Sequence, residues 1–375
     1  MRDIGAPDEA AHLSYARRLG AGQLPVLSID RPNEFEAHQP PLAYLAMAAV
    51  SPNPQRDFTG LVARVPDMIF GALTVLATFA LAGALGRPNS EAIFAAAIVA
   101  LLPMQIALSG AASNDPLLIL LCTAALIPIA RATQDGFSPK RAVGFALLAA
   151  MAIMTKSTGL LLLPVAAIAL FQAKAKPPAW LIALGVPMLI SAPWLMRNQG
   201  LYGDPLALAA FKKQFPPDVH LHSLRDVAQW GTNLLVVTSK SAVGMFGYMD
   251  IQYPKWLYYS AIAILGGSLL VGLRKTRLNT AILIFTALVI LAYVGFNLSY
   301  QQFQGRYLFP ALAPLAIWIA AASQAKWQKI LVTGVLGFAT IYAITILPGS
   351  FQERIQAYRV RYGADPPSQR LLSRP

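Results

Sequence analysis

The chain consists of long apolar runs separated by short polar segments. A transmembrane helix needs about 20 predominantly apolar residues to cross a hydrocarbon core of about 30 Å. Ten runs have that character, and together they predict an all-α, polytopic membrane protein with about ten transmembrane helices. The ten runs lie at 62–85, 91–111, 116–133, 141–155, 157–172, 178–196, 256–273, 279–298, 307–323 and 328–347.

The first sixty residues are mostly polar and differ from everything that follows. Residues 40–50 are apolar but too short to span, and we expect an interfacial or re-entrant helix there, with Pro40 and Pro41 in its first turn. The large loop is also expected to carry interfacial helices. The predicted division is an extracytoplasmic segment 1–61, a transmembrane domain 62–347 with a large loop 198–255, and a basic tail 348–375.

Composition supports the membrane assignment and excludes nucleic acid as a partner. Of 375 residues, 56% are hydrophobic and only 13% are charged, whereas soluble domains carry about 25% charged residues. The formal net charge of +13 comes from basic residues in short loops between apolar runs, as the positive-inside rule places them. The single cysteine, Cys122, lies inside an apolar run and forms no internal disulfide.

The basic residues also predict the orientation in the membrane. If each run crosses once, the basic loops all fall on one face, which should be cytoplasmic. The protein is thus expected in the plasma (inner) membrane, with 1–61 and 198–255 on the extracytoplasmic side. The residues expected on the cytoplasmic face are Arg87, Arg131, Lys140, Arg141, Lys174, Lys176, Arg274, Lys275, Arg277, Lys326 and Lys329.

This orientation requires the first sixty residues to be outside, yet no signal peptide or anchor precedes them in this sequence. We therefore expect a further transmembrane helix ahead of Met1 in the natural gene. Without that helix, this chain could be inactive.

Lys156 lies between two short runs, 141–155 and 157–172. At 1.5 Å per residue neither run covers the full core, so their junction should lie in a depression at the depth of the lipid phosphates. A lysine within a membrane costs about 2.5–3.5 kcal/mol unless it has a partner or water. Phosphate binding is one explanation, and extension of the side chain to the surface is the other.

Six short motifs occur in a fixed order along the chain and carry a family resemblance. They resemble the GT-C superfamily of integral-membrane glycosyltransferases, particularly relatives of protein mannosyltransferases and aminoarabinose transferases, and bacterial members of unassigned activity. The resemblance implies transfer of a hexosyl or pentosyl group from a polyprenyl-phosphate donor in the membrane to an extracytoplasmic lipid, glycan or protein. The motifs are Asp8-Glu9-x-x-His12, His38-Gln39-Pro40-Pro41-Leu42, Asn114-Asp115, Lys156, Arg197-Asn198 with Tyr202-Gly203-Asp204-Pro205, and Gly305-Arg306-Tyr307-Leu308-Phe309-Pro310.

In such enzymes an acidic residue of the first outer loop acts as general base or helps to hold a metal. Asp8 matches that position most directly, and Glu9 is beside it. A carboxylate within hydrogen-bond reach can take the acceptor hydroxyl proton as the bond from the sugar to phosphate breaks. The alternative is that both residues merely cap a short amphipathic helix.

The departing phosphate requires a cation, and the candidates are Lys156, Arg197 and Arg306. Arg306 begins an apolar helix, where a positive charge opposes the helix dipole, so a functional role is favoured. Arg197 ends a helix, where a cation is favourable, and interfacial anchoring is favoured instead.

The remaining motif residues are candidates for lining the substrate cavity. Asn114 also fits a side-chain helix cap, and Tyr202 and Asp204 fit turn chemistry that fixes a loop. The histidines could join the early carboxylates around a divalent metal, although their spacing matches no zinc signature and polar packing is favoured. The cavity candidates are His12, His38, Gln39, Asn114, Asp115, Tyr202, Asp204 and Tyr307.

A transporter or lipid flippase without chemistry is the alternative function. Duplicated halves with matching interrupted helices would favour it, and the sequence shows no such repeat. The enzyme hypothesis requires Asp8 to lie within about 15 Å of Lys156 or Arg306, since all would act on one small reacting centre. Sequence alone predicts neither the oligomeric state nor the identity of the sugar.

Overall fold

A computed structural model describes residues 6, 8–27, 32–50, 60–275 and 279–362. Within these ranges the chain is almost entirely helical. The strands are β1 (Met245–Phe246) and β2 (Ile251–Gln252), which pair antiparallel with Met245 opposite Gln252. The predicted all-α membrane fold is confirmed.

The N-terminal segment forms two helices that pack against each other. These are α1 (Glu9–Gly20) and α2 (Leu42–Ala49), with the 3₁₀ helix Pro32–His38 between them. Helix α1 buries one face, which includes Leu13 and Tyr15, against the α2 side chains Tyr44 and Met47. The short apolar run at 40–50 is therefore a helix. It begins at Leu42, after both Pro40 and Pro41, which were expected in its first turn.

The rest of the described chain is a bundle of fifteen further α-helices. Two 3₁₀ helices interrupt the series of α-helices. Ser157–Leu161 precedes the helix Leu162–Gln172, and Gly305–Ala311 precedes the helix Leu312–Ala322. A π-helical turn, Leu181–Gly185, joins α10 to α11. The helices are α3 (Gly60–Ala63), α4 (Val65–Ala84), α5 (Asn89–Leu101), α6 (Pro103–Ser109), α7 (Asp115–Asp135), α8 (Pro139–Ile153), α9 (Leu162–Gln172), α10 (Pro177–Trp180), α11 (Val186–Tyr202), α12 (Leu208–Gln214), α13 (Leu224–Gly244), α14 (Lys255–Lys275), α15 (Thr280–Asn297), α16 (Leu312–Ala322) and α17 (Lys326–Tyr362).

Helices α7 and α16 form the centre of the bundle. The apolar windows of Asp115–Ala132 and Gly305–Ala322 are 72% and 83% buried, whereas Lys255–Arg274 and Lys326–Glu353 are only 22% and 24% buried. The peripheral helices expose apolar side chains, as lipid contact requires. The two buried segments begin at Asp115 and at Gly305-Arg306, so these charged residues lie at the ends of the most buried part of the bundle.

The expected ten spans correspond to helices, but the count of ten is not confirmed. Among the described residues, seven helices are long and apolar enough to cross a membrane. An eighth span results if α5 and α6, which meet at a 64° bend, are counted as one. Proline at the first position of α6 explains the break. Helix α8, with 15 residues, and the run Ser157–Gln172 are too short to count.

Two predicted boundaries differ from the helices observed. Helix α11 continues to Tyr202, past the predicted start of the loop at 198, and the loop carries α12, α13 and the β-hairpin where helices were expected. Helix α17 continues through Pro348 to Tyr362, so the predicted tail does not begin at a helix end. The remainder of that tail, 363–375, lies outside the described residues, as do residues 1–5 and Arg277.

Polar contacts involve three of the predicted cytoplasmic loops, those at 86–90, 134–140 and 324–327. Arg87 lies 3.9 Å from Glu91, and the Gln324 amide donates to Glu91 at 2.9 Å. Gln134 donates to the carbonyl of Ala84. The starts of α7 and of the helix at Gly305 lie at the opposite end, because each follows a helix that crosses the bundle.

Gly159 lets the 3₁₀ turn after Lys156 lie directly on α8. A Cβ there would come within 2.5 Å of the backbone nitrogen of Ile153, which no side-chain rotation can relieve. We expect Gly159→Ala to lower the melting temperature of the purified protein by several degrees. Gly144, also on α8, has open space around it, so Gly144→Ala should leave the melting temperature unchanged or raise it slightly. Equal effects would contradict this packing argument.

Candidate active site

Four side chains from distant parts of the sequence form one continuous chain of charges. The guanidinium of Arg306 donates to Oδ2 of Asp8 at 3.0 Å, and its other terminal nitrogen lies 3.5 Å from Oδ2 of Asp115. Nζ of Lys156 donates to Oδ1 of Asp115 at 2.7 Å. Asp8, Lys156 and Arg306 therefore lie together, well inside the distance that a shared reacting centre requires.

The backbone around Arg306 is fixed by close packing. Gly305 touches α13 so closely that a Cβ would come within 2.5 Å of the nitrogen of Ala242, and its N–H donates to Ser241 Oγ at 2.7 Å. Nε of Arg306 donates to Gln304 Oε1 at 2.6 Å. The side chain is 5% exposed, so its charge depends on these partners.

Lys156 follows the C-terminal end of α8, where the two short helices meet. Its side chain is 18% exposed and lies with Nζ 5.4 Å from the ring centre of Tyr307. Asp115 is 8% exposed and lies between Lys156 and Arg306. Both cations are therefore held near one carboxylate, and this arrangement orients them toward the same point.

Asp8 differs from a simple helix cap. It precedes α1 with φ of 66°, a left-handed conformation that aspartate tolerates better than most residues, and its side chain makes no capping hydrogen bond. The carboxylate is 32% exposed. Within the described part of the chain, its Oδ1 accepts no hydrogen bond. Asp8 is consequently paired, yet still open to an incoming group.

Glu9 has a different environment from Asp8. Its two oxygens accept from Nε and Nη2 of Arg64 at 2.7 and 2.9 Å, and Oε1 also accepts from the N–H of Ala112 at 2.8 Å. The side chain is 1% exposed. A buried carboxylate with both oxygens engaged is poorly placed to take a proton, so Asp8 is the more accessible of the two neighbouring acids.

A buried network joins two of the predicted cavity residues, His12 and Asn114, through Tyr44. His12 Nδ1 and the hydroxyl of Tyr44 form a hydrogen bond of 2.9 Å, and Asn114 Nδ2 donates to the same hydroxyl at 3.2 Å. Asn114 therefore does not act as the side-chain cap that its position suggested. Burial lowers the pKa of His12 to about 4, so its ring is neutral at neutral pH.

His38 and Gln39 pack next to α12. The His38 ring donates through Nδ1 to the carbonyl of Phe35 at 2.7 Å and accepts from Gln39 Nε2 at 3.0 Å. It also lies 4.9 Å from the ring of Phe211. Burial lowers the pKa of His38 to about 4. These contacts are those of polar packing between helices.

Arg197, Tyr202 and Asp204 are not part of the charge chain. Arg197 donates to the carbonyl of Pro25 at 2.6 Å and stacks on Trp194, which fits the anchoring alternative. The Tyr202 hydroxyl accepts from the N–H of Leu27. Asp204 accepts from two backbone N–H groups of its own loop. The three residues thus fix loops next to the site.

No group of three His, Cys, Asp or Glu side chains with metal-binding geometry occurs among the described residues. The histidines and carboxylates near Asp8 are instead distributed among separate hydrogen-bonded pairs. The divalent metal considered from the sequence thus has no ready set of ligands in the described chain.

A mostly apolar cavity of about 320 Å³ leads to Arg306. Its polar end is formed by Arg306, Gln304 and Glu9 with Arg64. Its apolar walls come from α6, the β-hairpin and α17, including Pro348 and Phe351. A ligand with a charged head and a hydrocarbon tail would match this distribution.

Sequence reasoning missed the roles of Arg64 and Tyr44. Arg64 and Asp67 lie inside an apolar run, and an ionisable residue there is a recognised signal of function or of a buried pair. Asp67 does accept the N–H of Ser113 at 2.9 Å. Nothing in the sequence marks Tyr44 as part of a polar network, because an aromatic residue in an apolar helix usually packs in the hydrophobic core.

Comparison with known proteins identifies the fold. The sequence profile of the family described as dolichyl-phosphate-mannose-protein mannosyltransferase matches residues 38–196. ArnT from Cupriavidus metallidurans, solved bound to undecaprenyl phosphate, is similar with a TM-score of 0.59 and 16% identity, over 86% of this chain and 56% of that one. No curated protein matches the chain significantly.

A second similar structure is the archaeal oligosaccharyltransferase AglB from Archaeoglobus fulgidus, in complex with an inhibitory peptide and a dolichol-phosphate. Its TM-score is 0.52 at 15% identity, over 92% of this chain and 52% of that one. The chain thus spans about half the length of the solved proteins that it resembles.

The chain is a polytopic membrane protein with the fold of the GT-C glycosyltransferases, and the resemblance seen in the sequence is confirmed. Within that superfamily, its residues 38–196 match the mannosyltransferase profile.

The two neighbouring acids should respond differently to amide substitution. Glu9→Gln removes the charge that pairs with buried Arg64, which we expect to cost about 3–5 kcal/mol and to lower the melting temperature sharply. Asp8→Asn changes a carboxylate that is 32% exposed and should shift the melting temperature far less. Thermal unfolding of both purified variants in one detergent tests this contrast. A Glu9→Gln variant as stable as Asp8→Asn would contradict this expectation.

Proposed function

We propose that this protein transfers a glycosyl group from a polyprenyl-phosphate-linked donor to an acceptor on the extracytoplasmic side of the membrane. The observation that carries the proposal is the charge chain Asp8–Arg306–Asp115–Lys156, of which Arg306 also lines an apolar cavity. Two carboxylates and two cations therefore lie together, and one of the cations borders a space for hydrocarbon.

The donor lipid fits the cavity by its chemistry. The apolar walls would take part of a polyprenyl chain, and the phosphate would lie at Arg306 near the polar end. The similar structures of ArnT and AglB contain undecaprenyl phosphate and dolichol-phosphate, which supports a lipid-phosphate ligand for this chain as well.

Arg306 and Lys156 are the proposed phosphate ligands. Arginine can hold two phosphate oxygens at once, while lysine acts as a compact charge. Asp115 holds both cations in place without occupying all their donors. As the bond from the sugar C1 to the phosphate oxygen breaks, the electron pair stays on that oxygen, and these cations stabilise the resulting charge.

Asp8 is the proposed general base. An arriving phosphate can replace Asp8 as a partner of Arg306, which leaves the carboxylate free to accept a proton. The acceptor hydroxyl then gives its proton to Asp8 as its oxygen bonds to C1 from the side opposite the phosphate. One base is enough for this inversion, because the lipid phosphate is released as an anion and needs no protonation.

Activity of the purified full chain tests these roles. Asp8→Asn should reduce transfer of radiolabelled sugar from a polyprenyl-phosphate donor by about 10²–10⁴-fold, the usual contribution of a general base, while lipid-phosphate binding persists. Lys156→Met should weaken that binding. Arg141 is paired with Asp135 at the far end of the bundle, so Arg141→Gln serves as the charge-removal control. Full activity in Asp8→Asn would refute the assignment.

A flippase would give a different result in the same assay. It would move labelled lipid between the leaflets of a proteoliposome without changing the lipid. Lipid movement that persists in Asp8→Asn, together with absence of transfer in the unmodified protein, would support that alternative.

The side of the membrane can be tested with introduced cysteines. Lys213 on α12 is exposed near His38, and Lys140 is exposed at the opposite end. Cys122 is buried and needs no replacement. In intact cells, a membrane-impermeant maleimide should label Lys213→Cys, and it should label Lys140→Cys only after permeabilisation. The reverse pattern would place the site on the cytoplasmic side.

A further inference from the structure

The apolar cavity extends along α6, away from the charged residues. Ala111 borders it at the polar end, next to the N–H of Ala112 that donates to Glu9, and Pro103 borders it at the start of α6. The helical rise of 1.5 Å per residue places these two ends roughly 10 Å apart. The second end of the cavity is therefore formed at the bend between α5 and α6.

This bend leaves backbone carbonyls in an apolar region. Leu102 has an extended conformation, with φ of −72° and ψ of 114°, and Pro103 has no N–H. The last carbonyls of α5 consequently lack the partners that a continuous helix would supply, and inside a membrane water does not replace them. Thr340 on α17 supplies a partner for one of them, because its Oγ1 donates to the carbonyl of Leu101 at 2.8 Å.

The hydrogen bond of Thr340 differs from those of many other helical threonines in this chain. A threonine in a helix can donate to the carbonyl four residues earlier in its own helix, as do Thr74, Thr78, Thr232, Thr286 and Thr333. Thr340 instead donates to a residue 239 positions earlier, on another helix. Its side chain also lines the cavity, so the bond joins two of the cavity walls.

The third wall is attached to the preceding residue of α17. The hydroxyl of Tyr253, which directly follows β2, donates to the carbonyl of Ala339 at 2.8 Å. Its ring packs edge to face on Phe246, a residue of β1 that lines the cavity. The hydroxyl of Tyr258 accepts from the N–H of Tyr253 and donates to the carbonyl of Gly244, so the base of the hairpin is closed. The hairpin is thus held to α17 beside Thr340.

We propose that Thr340 and Tyr253 are positioning residues that fix the spacing of the three cavity walls, and thereby determine how tightly the hydrocarbon chain of the donor lipid is bound. Apolar packing alone fixes this spacing poorly, because lipid tails are as apolar as the side chains that they replace between helices. The inference rests on the proposed function, since it concerns the same cavity. It assigns recognition of the chain to residues distinct from those proposed to hold the phosphate.

Binding of two phosphates with different chains tests the proposal on the purified full chain. Undecaprenyl phosphate extends along the cavity, whereas dimethylallyl phosphate has the same head group on one isoprene unit, which is too short to reach the bend. Thr340→Val keeps the shape of the side chain and removes the hydroxyl. It should raise the Kd of undecaprenyl phosphate about 3–10-fold, the factor that corresponds to one interhelical hydrogen bond in a membrane. The Kd of dimethylallyl phosphate should stay nearly the same.

Tyr253→Phe removes the other hydrogen bond and should change the two Kd values in the same way. Thr333→Val is the matched control. Thr333 lies about two turns earlier on nearly the same face of α17, but its hydroxyl donates to the carbonyl of Lys329 in its own helix. This variant should bind both phosphates as the wild type does.

The ratio of the two Kd values separates a role in chain recognition from a merely structural role. Loss of stability alone would lower the melting temperature and leave that ratio unchanged. An unchanged ratio in Thr340→Val and Tyr253→Phe would overturn the inference and leave the proposed function intact. A wild-type protein that binds both phosphates equally well would also overturn the inference alone. A wild-type protein that does not bind undecaprenyl phosphate would overturn both.

Discussion

The structure depends on how one buried guanidinium is neutralised. Arg306 begins a central helix of the bundle, where hydrocarbon and protein exclude water and an unpaired charge would be very costly. Asp115 supplies one neighbouring carboxylate from within the bundle. Asp8 supplies the other from outside it, and the N-terminal helices must therefore dock over the start of α7. The ion pairs of Asp8 and Glu9 thus add specific contacts to the apolar packing that positions the N-terminal segment.

Much of the fold follows from the sequence because apolar runs in a membrane have few alternatives to helix. All ten predicted runs are helical, and the short run before α4 is a helix too. The number of spans was less predictable. Proline at the start of α6 bends one run, and the two runs next to Lys156 are shorter than a membrane is thick. Their shortness places Lys156 beside Asp115.

The site could be predicted in part, because its members are charges in places where charges are expensive. Lys156 stands out for that reason and Arg306 because its charge opposes the helix dipole, whereas Asp8 was identified by the family resemblance. The three residues lie together. The hydrogen-bond partners of the site residues could not be predicted from the sequence. The capping pattern suggested that Asn114 would bond its own helix, whereas it bonds Tyr44, 70 residues away. Arg197 fitted two roles in sequence, of which interfacial anchoring was favoured, and its hydrogen bond to the Pro25 carbonyl agrees with anchoring.

The number of residues that separates each pair along the chain also determines when its two members are both available during synthesis. Glu9 meets Arg64 and Ala112 across 55 and 103 positions, so these bonds can form when only the first few helices exist. Asp8 must wait for Arg306, 298 positions later. The partners of Glu9 are thus available early in synthesis, whereas Asp8 can be neutralised by Arg306 only once most of this chain has been made.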